Sequence, residues 1–230
     1  VKAAGDVNGD GFDDLVIGAY KATADGDAQA GKTYVVFGGS GGLGAQLDLS
    51  TLDGTNGFSV DGIAAGDQSG RGVSSAGDIN GDGFDDILIG APESGSGGAS
   101  SGGAYVVFGS GAGFAANIDL ASLDGTNGFA ITGEGPSKRT GFDVSELGDI
   151  NGDGIDDILL GGRASSGVEG KSYVVFGSAT GFGASFDLGS LDGSNGFELP
   201  EVVFGDRVGF SVSSAGDVNE VILVGGMTRM

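Results

Sequence analysis

A chain of 230 residues with a formal net charge of −22, 52 glycines, no cysteine and no histidine is restricted in the chemistry it can perform. The missing cysteines exclude disulfides and thiolate sites, and the missing histidines remove the commonest acid–base group and the commonest transition-metal ligand. The 32 Asp and Glu against 10 Lys and Arg argue against nucleic acid or an anionic membrane as partner, because phosphate contacts need cations.

No apolar run approaches the roughly 18–20 residues of a membrane span, so no membrane insertion is expected. There is no Asn-x-Ser/Thr sequon, which leans toward a bacterial origin if the protein is extracellular. Val1, Lys2, Ala3 and Ala4 lead straight into an acidic loop and do not read as a signal peptide, so a mature segment or a piece of something longer is expected.

That first loop runs Asp6, Val7, Asn8, Gly9, Asp10, Gly11, Phe12, Asp13, Asp14. It returns nearly unchanged from Asp78 to Asp86 and from Asp149 to Asp157, and a shortened form starts at Asp217. The copies lie about 70 residues apart, a repeat long enough for several short strands. Glycine at this density would suggest disorder without a period; with one, it punctuates turns.

The second unit shows the predicted elements in order. A first strand, 72–77, enters the acidic loop. Asp86–Gly90 is a continuous apolar run, read as a second strand buried on both faces. A glycine–serine connection from Pro92 to Gly103 leads to a third strand, Ala104–Phe108, which recurs as Tyr34–Phe37 and Tyr173–Phe176. The stretches Leu49–Leu52, Leu120–Leu123 and Leu188–Leu191 are too short and turn-rich for a helix. A turn from Leu123 to Gly128, repeated at Leu52–Gly57 and Leu191–Gly196, precedes a weaker fourth strand, Gly128–Thr132. A radial array of such four-stranded antiparallel sheets is an all-β propeller. About 3.4 blades are expected, at 1–66, 67–135, 136–204 and, in part, 205–230. This is a partial ring, or one completed by self-association.

The string from Gly77 through Asp78, Asn80, Asp82, Gly83, Phe84, Asp85 and Asp86 to Gly90-Ala91-Pro92 resembles the FG-GAP repeat of integrin α-subunit propellers and their bacterial relatives. The resemblance implies a calcium loop between the first two strands of each blade, a ring of seven, and a role in adhesion. The long glycine-rich units look more like the tandem blades of large secreted bacterial proteins. Departures are visible. Ser69, Thr140 and Val208 replace the motif's phenylalanine, and Gly18-Ala19-Tyr20 and Gly161-Gly162-Arg163 replace its Gly-Ala-Pro.

The loop chemistry also stands on its own. Oxygens at loop positions one, three, five and nine, with glycine at six, suit a hard cation such as calcium. Asp78, Asn80 and Asp82 are assigned as side-chain ligands, Phe84 as a carbonyl ligand and Asp86 as the closing carboxylate. The same roles fall on Asp6, Asn8, Asp10, Phe12 and Asp14, and on Asp149, Asn151, Asp153, Ile155 and Asp157. Position twelve is Ile17, Ile89 or Leu160 rather than glutamate, which excludes an EF-hand. The copy at Asp217 lacks four loop residues and has Val221 at the closing position, so it is expected not to bind.

Asp13, Asp85 and Asp156 are expected to face the same ion as their neighbours rather than to form a catalytic pair. Arg71, Lys138 and Arg139 read as solvated loop charges, with an anionic partner as the alternative. The expectation is therefore a non-enzymatic, extracellular, calcium-stabilised module that binds a protein or glycan. The alternative is a lectin-like or substrate-docking propeller of a secreted carbohydrate-active enzyme.

Overall fold

The computed structural model describes residues 1–163, 168–203 and 205–216 and the strand 222–225. It is an all-β arc of blades. The first blade is β1 (Lys2–Gly5), β2 (Asp14–Ala19), β3 (Lys32–Val36) and β4 (Gly57–Asp61), joined antiparallel in that order. The second is β5 (Val73–Gly77), β6 (Asp86–Gly90), β7 (Gly103–Val107) and, after a short β8 (Asn117–Asp119), β9 (Gly128–Thr132). The third is β10 (Thr140–Gly148), β11 (Asp157–Gly162), β12 (Lys171–Val175) and, after β13 (Ser185–Asp187), β14 (Gly196–Pro200). β15 (Ser211–Ser214) and β16 (Ile222–Gly225) begin a fourth. The innermost strands pack in series, β1 on β5, β5 on β10 and β10 on β15, and the described residues do not close a ring.

The core lies between blades, and strand alternation explains why. In β6, Ile87 and Ile89 join Val16, Val35 and Phe58 of the first blade, while Leu88 joins Ile158, Leu160 and Tyr173 of the third. A strand buried on both faces has no polar side to show, hence the unbroken apolar run. Each of these side chains is fully or almost fully buried, and such burial stabilises by about 1.5–3 kcal/mol per residue.

Two features depart from the sequence reading. The blades are not simply four-stranded: β8 pairs parallel with β4, and β13 pairs parallel with β9, so the second and third units each lend a strand to the blade before. The leucine-rich stretches each form one turn of 3-10 helix, at Leu49–Thr51, Leu120–Ser122 and Leu188–Ser190. Asp48, Asp119 and Asp187 cap them by accepting from the N–H two residues on, which supports a single turn without the length an α-helix needs.

Candidate metal centre

Each acidic loop joins the first and second strands of its blade. In the second loop, Asp78 accepts from the Asp82 and Gly83 N–H groups, both at 2.9 Å, one on each carboxylate oxygen. The Asn80 side-chain oxygen also accepts from the Asp82 N–H, at 2.8 Å, and Asp82 accepts from the Phe84 N–H at 3.0 Å. The backbone is thereby wound inward around the side-chain oxygens. Gly83 at position six has φ +93°, a conformation that disfavours any side chain. Asp6, Asn8 and Asp10, and Asp149, Asn151 and Asp153, make the same bonds.

The closing aspartate differs from the others. Asp86 is completely buried, and its carboxylate accepts from Gly109 N–H at 2.8 Å and Ile79 N–H at 3.1 Å. It ties the loop to the chain leaving β7. Asp14 does this with Gly38 and Val7, and Asp157 with Gly177 and Ile150. Burial, reinforced by the charges of Asp82 and Asp78, pushes the Asp86 carboxyl up to about 8. Burial, with Asp10 and Asp6, or with Asp153 and Asp149, raises Asp14 and Asp157 to about 6. Each loop thus sets one buried carboxylate against two of its own kind.

This donor set is all hard oxygen, which fits calcium or magnesium and not zinc. Among the described residues, no three Asp or Glu side chains stand together as a ready-made metal cluster. The loop carboxylates each use a lone pair on loop N–H groups and retain others. Phe12 is 43% exposed, whereas the Phe84 ring lies against Gly9 of the preceding loop and the Ile155 side chain against Gly177. The copy at Asp217 lies outside the described residues.

Two of the three neighbouring aspartates reach out of the loop they sit in. Asp85 accepts from the N–H of Asp6, one blade back, at 2.7 Å, and Asp156 accepts from the N–H of Asp78 at 2.9 Å. They bind blade to blade. Gly5 and Gly77 make this approach feasible: both have positive φ, and a Cβ at Gly77 would stand 2.2 Å from the Asp156 carboxylate. A contact spanning about 80 residues leaves no local trace in the sequence.

The basic residues at the other end of the blades are not simply solvated. The Arg71 guanidinium lies 4.6 Å from the ring centres of both Tyr20 and Phe142. Arg163 lies 4.9 Å from Phe142 and 5.3 Å from Phe210. Ring, cation, ring, cation and ring alternate across four blades. Arg139 pairs with Glu93 at 3.0 Å, and Lys138 donates to the Glu169 carbonyl.

The Asp-Gly-Thr/Ser-Asn-Gly turns use their own polar groups. Asp124 accepts from Thr126, and Asn127 accepts from the Asp124 N–H.

A family model described as FG-GAP repeat matches residues 3–36 and 69–107. The chain is 32% identical to integrin alpha pat-2 of Caenorhabditis elegans over 69% of its own length, and 29% identical to integrin alpha-PS2 of Drosophila melanogaster over 83%. It is also 32% identical to phosphatidylinositol-glycan-specific phospholipase D of Mus musculus over 75% of its length. These matches span only 13%, 13% and 20% of the respective relatives.

Proposed function

Because this chain is built of FG-GAP repeats of the integrin α-like propeller type, we propose that it is a calcium-stabilised binding module acting outside the cell, in a secreted or surface protein of bacterial type, with no catalytic centre of its own. Its partner would be a protein or a glycan. In the second loop, Asp78, Asn80, Asp82 and Asp86 would offer side-chain oxygens and Phe84 its carbonyl, with the equivalent residues acting in the first and third loops. A bound cation would supply positive charge to a loop that carries three ligand carboxylates. The residues themselves do the holding: Asp86 fixes the loop to β7, Gly83 permits its turn, and the loop N–H groups orient Asp78 and Asp82.

The observation that carries this reading is the buried closing aspartate, present three times and each time opposed by two further acids. A carboxylate left ionised there without a cation is costly. Extracellular modules bind calcium at about 10⁻⁴–10⁻³ M, so such sites fill outside a cell and stay empty in cytosol.

Thermal unfolding in millimolar calcium and in excess EDTA tests it. In millimolar calcium, about one- to tenfold above such a Kd, each site adds about 0.4–1.4 kcal/mol, so chelation of three sites lowers Tm by roughly 3–15 °C. An unchanged melt overturns the reading.

One observation favours a docking role beside an enzyme: the similarity to a protein named as a phospholipase D. A cleft of about 640 Å³ next to Asp82, bordered by Phe108, Phe114 and Asn117, would be the ligand's place in that reading. A glycan array tests the docking reading: specific binding supports it, and a blank array leaves a protein as the partner.

A further inference from the structure

Six of the eight asparagines stand directly before a glycine, and they form two sets. Asn8, Asn80 and Asn151 hold position three of the acidic loops, whereas Asn56, Asn127 and Asn195 close the turn before the fourth strand. An asparagine before glycine can deamidate without an enzyme: the glycine nitrogen attacks the side-chain carbonyl carbon, and no Cβ hinders it. The attack needs both groups to leave their folded geometry, so its rate follows the population of the locally opened state.

The turn set is held at each point that must move. Asn127 Oδ1 accepts from the Asp124 N–H at 3.1 Å, and its Nδ2 donates to the Ser122 carbonyl at 3.3 Å. Its own carbonyl accepts from the Phe108 N–H at 3.1 Å, and the Gly128 carbonyl accepts from the Gly125 N–H at 2.8 Å. Gly128 is buried as the first residue of β9. Asn56 and Asn195 make the same four bonds, and Gly57 and Gly196 are buried in the same way. The loop set is held from within an exposed hairpin. Asn80 Oδ1 accepts from the Asp82 N–H at 2.8 Å, and its Nδ2 donates to the Asp82 carboxylate at 3.0 Å, only two residues on. Asn8 does this with Asp10 and Asn151 with Asp153, and Gly9, Gly81 and Gly152 are exposed. Each loop also carries three ligand carboxylates, whose repulsion favours opening when no cation is present.

We propose that Asn8, Asn80 and Asn151 are self-modifying sites that deamidate in the folded, metal-free chain, while the fold protects Asn56, Asn127 and Asn195. In the second loop the Gly81 nitrogen bonds to the Asn80 Cγ and the Cγ–Nδ2 bond breaks. Nδ2 leaves as ammonia, carrying the proton that the glycine nitrogen gives up. Water then opens the cyclic imide: addition at Cγ yields aspartate, and addition at the main-chain carbonyl yields isoaspartate. Isoaspartate routes the main chain through the former side chain and lengthens it by one methylene. That breaks the spacing of the loop oxygens from Asp78 to Asp86. A chain kept without calcium would thus lose its loops irreversibly, and an ion held by the Asn80 oxygen would delay the loss. This consequence rests on the reading of the loops as calcium sites; the selectivity between the two sets does not.

Peptide mapping by mass spectrometry, after prolonged warm incubation in EDTA at mildly alkaline pH, tests it. Each loop asparagine gains the deamidation mass at least about tenfold faster than any turn asparagine, because the turn set must break two further main-chain hydrogen bonds. In urea that unfolds the chain, all six sites convert at similar rates, since all share the Asn-Gly pair. Asn80→Gln, whose longer side chain does not close the same ring, removes the second-loop product and leaves those of the first and third. Turn asparagines that convert as fast as the loop ones in the folded chain overturn the proposal. So do loops that stay intact throughout, or a preference for the loops that persists in urea. A parallel incubation in about 10 mM calcium separates this inference from the calcium reading. Slower loop conversion supports both, whereas an unchanged rate with the same ranking contradicts the calcium reading alone.

Discussion

At one end of the blades the hairpin Asp78–Asp86 repeats almost residue for residue in Asp6–Asp14 and Asp149–Asp157; at the other end Arg71, Phe142 and Phe210 fill one repeat position and Tyr20 and Arg163 another, so the positions recur while the residue types change from blade to blade. The repeated end satisfies a need that every blade has. It must turn a strand sharply, fix the turn to the third strand through a buried carboxylate, and balance the resulting charge. The end whose residues vary satisfies a need particular to each neighbour. An arginine belongs between two rings only where the adjacent blades supply those rings. The residues that depart from the family motif, Tyr20 and Arg163 in the place of proline, are members of that ladder. Repetition therefore marks what holds a blade together, and departure marks what sets its order in the arc.

The sharpest break in this comparison comes at the repeated end. Asp86→Ala strands the Ile79 and Gly109 N–H groups in a buried place and removes the closing oxygen, at a cost of about 3–5 kcal/mol. Urea unfolding of the variant in calcium measures this. A loss below about 1 kcal/mol, the size of an ordinary surface change, contradicts the role given to Asp86.

Acidity separates the two ends next. In the folded chain without metal, burial holds the Asp86 carboxyl at about 8, far above the ordinary 3.8 that it regains on unfolding. Between those values the folded state keeps a proton that the unfolded state has released, so stability falls as pH rises through the window. In EDTA, Tm is lower at pH 8.5 than at pH 5; calcium, which favours the ionised carboxylate, flattens or reverses that slope. Parallel profiles with and without calcium count against this coupling. The arginine ladder takes no part, because guanidinium does not titrate in this range.

The smallest effect belongs to the end whose residues vary. Arg71→Ala removes two cation–ring contacts and costs about 1–2 kcal/mol, with little dependence on calcium. Arg71→Lys recovers only part of it, since an ammonium does not stack on two rings at once. A double-mutant cycle with Phe142→Leu reads the coupling. A coupling energy near zero reduces Arg71 to a solvated charge.

Most of the blade was legible in the sequence. β6 and β9 fall on the expected residues Asp86–Gly90 and Gly128–Thr132, because an apolar run bounded by glycine leaves little choice. β8 and β13 were not legible: three residues among alanine and serine carry no alternation, and their partner strands lie in the preceding unit. Within the loops, the local spacing pointed to Asp78, Asn80, Asp82 and Asp86 together. It could not tell that Asp85 faces the loop before it, nor that Arg71 finds rings in two other blades. Local geometry is written in neighbouring residues, whereas contacts one repeat away depend on how the blades stack.

The account rests on divalent ions held by the three hairpins, and counting them is the direct test. Equilibrium dialysis carried to saturation, at about 10 mM calcium, should find three ions per chain, falling to two in Asp82→Ala and staying at three in the ladder variant Arg71→Ala. A folded chain that retains no calcium under those conditions contradicts the account at its centre.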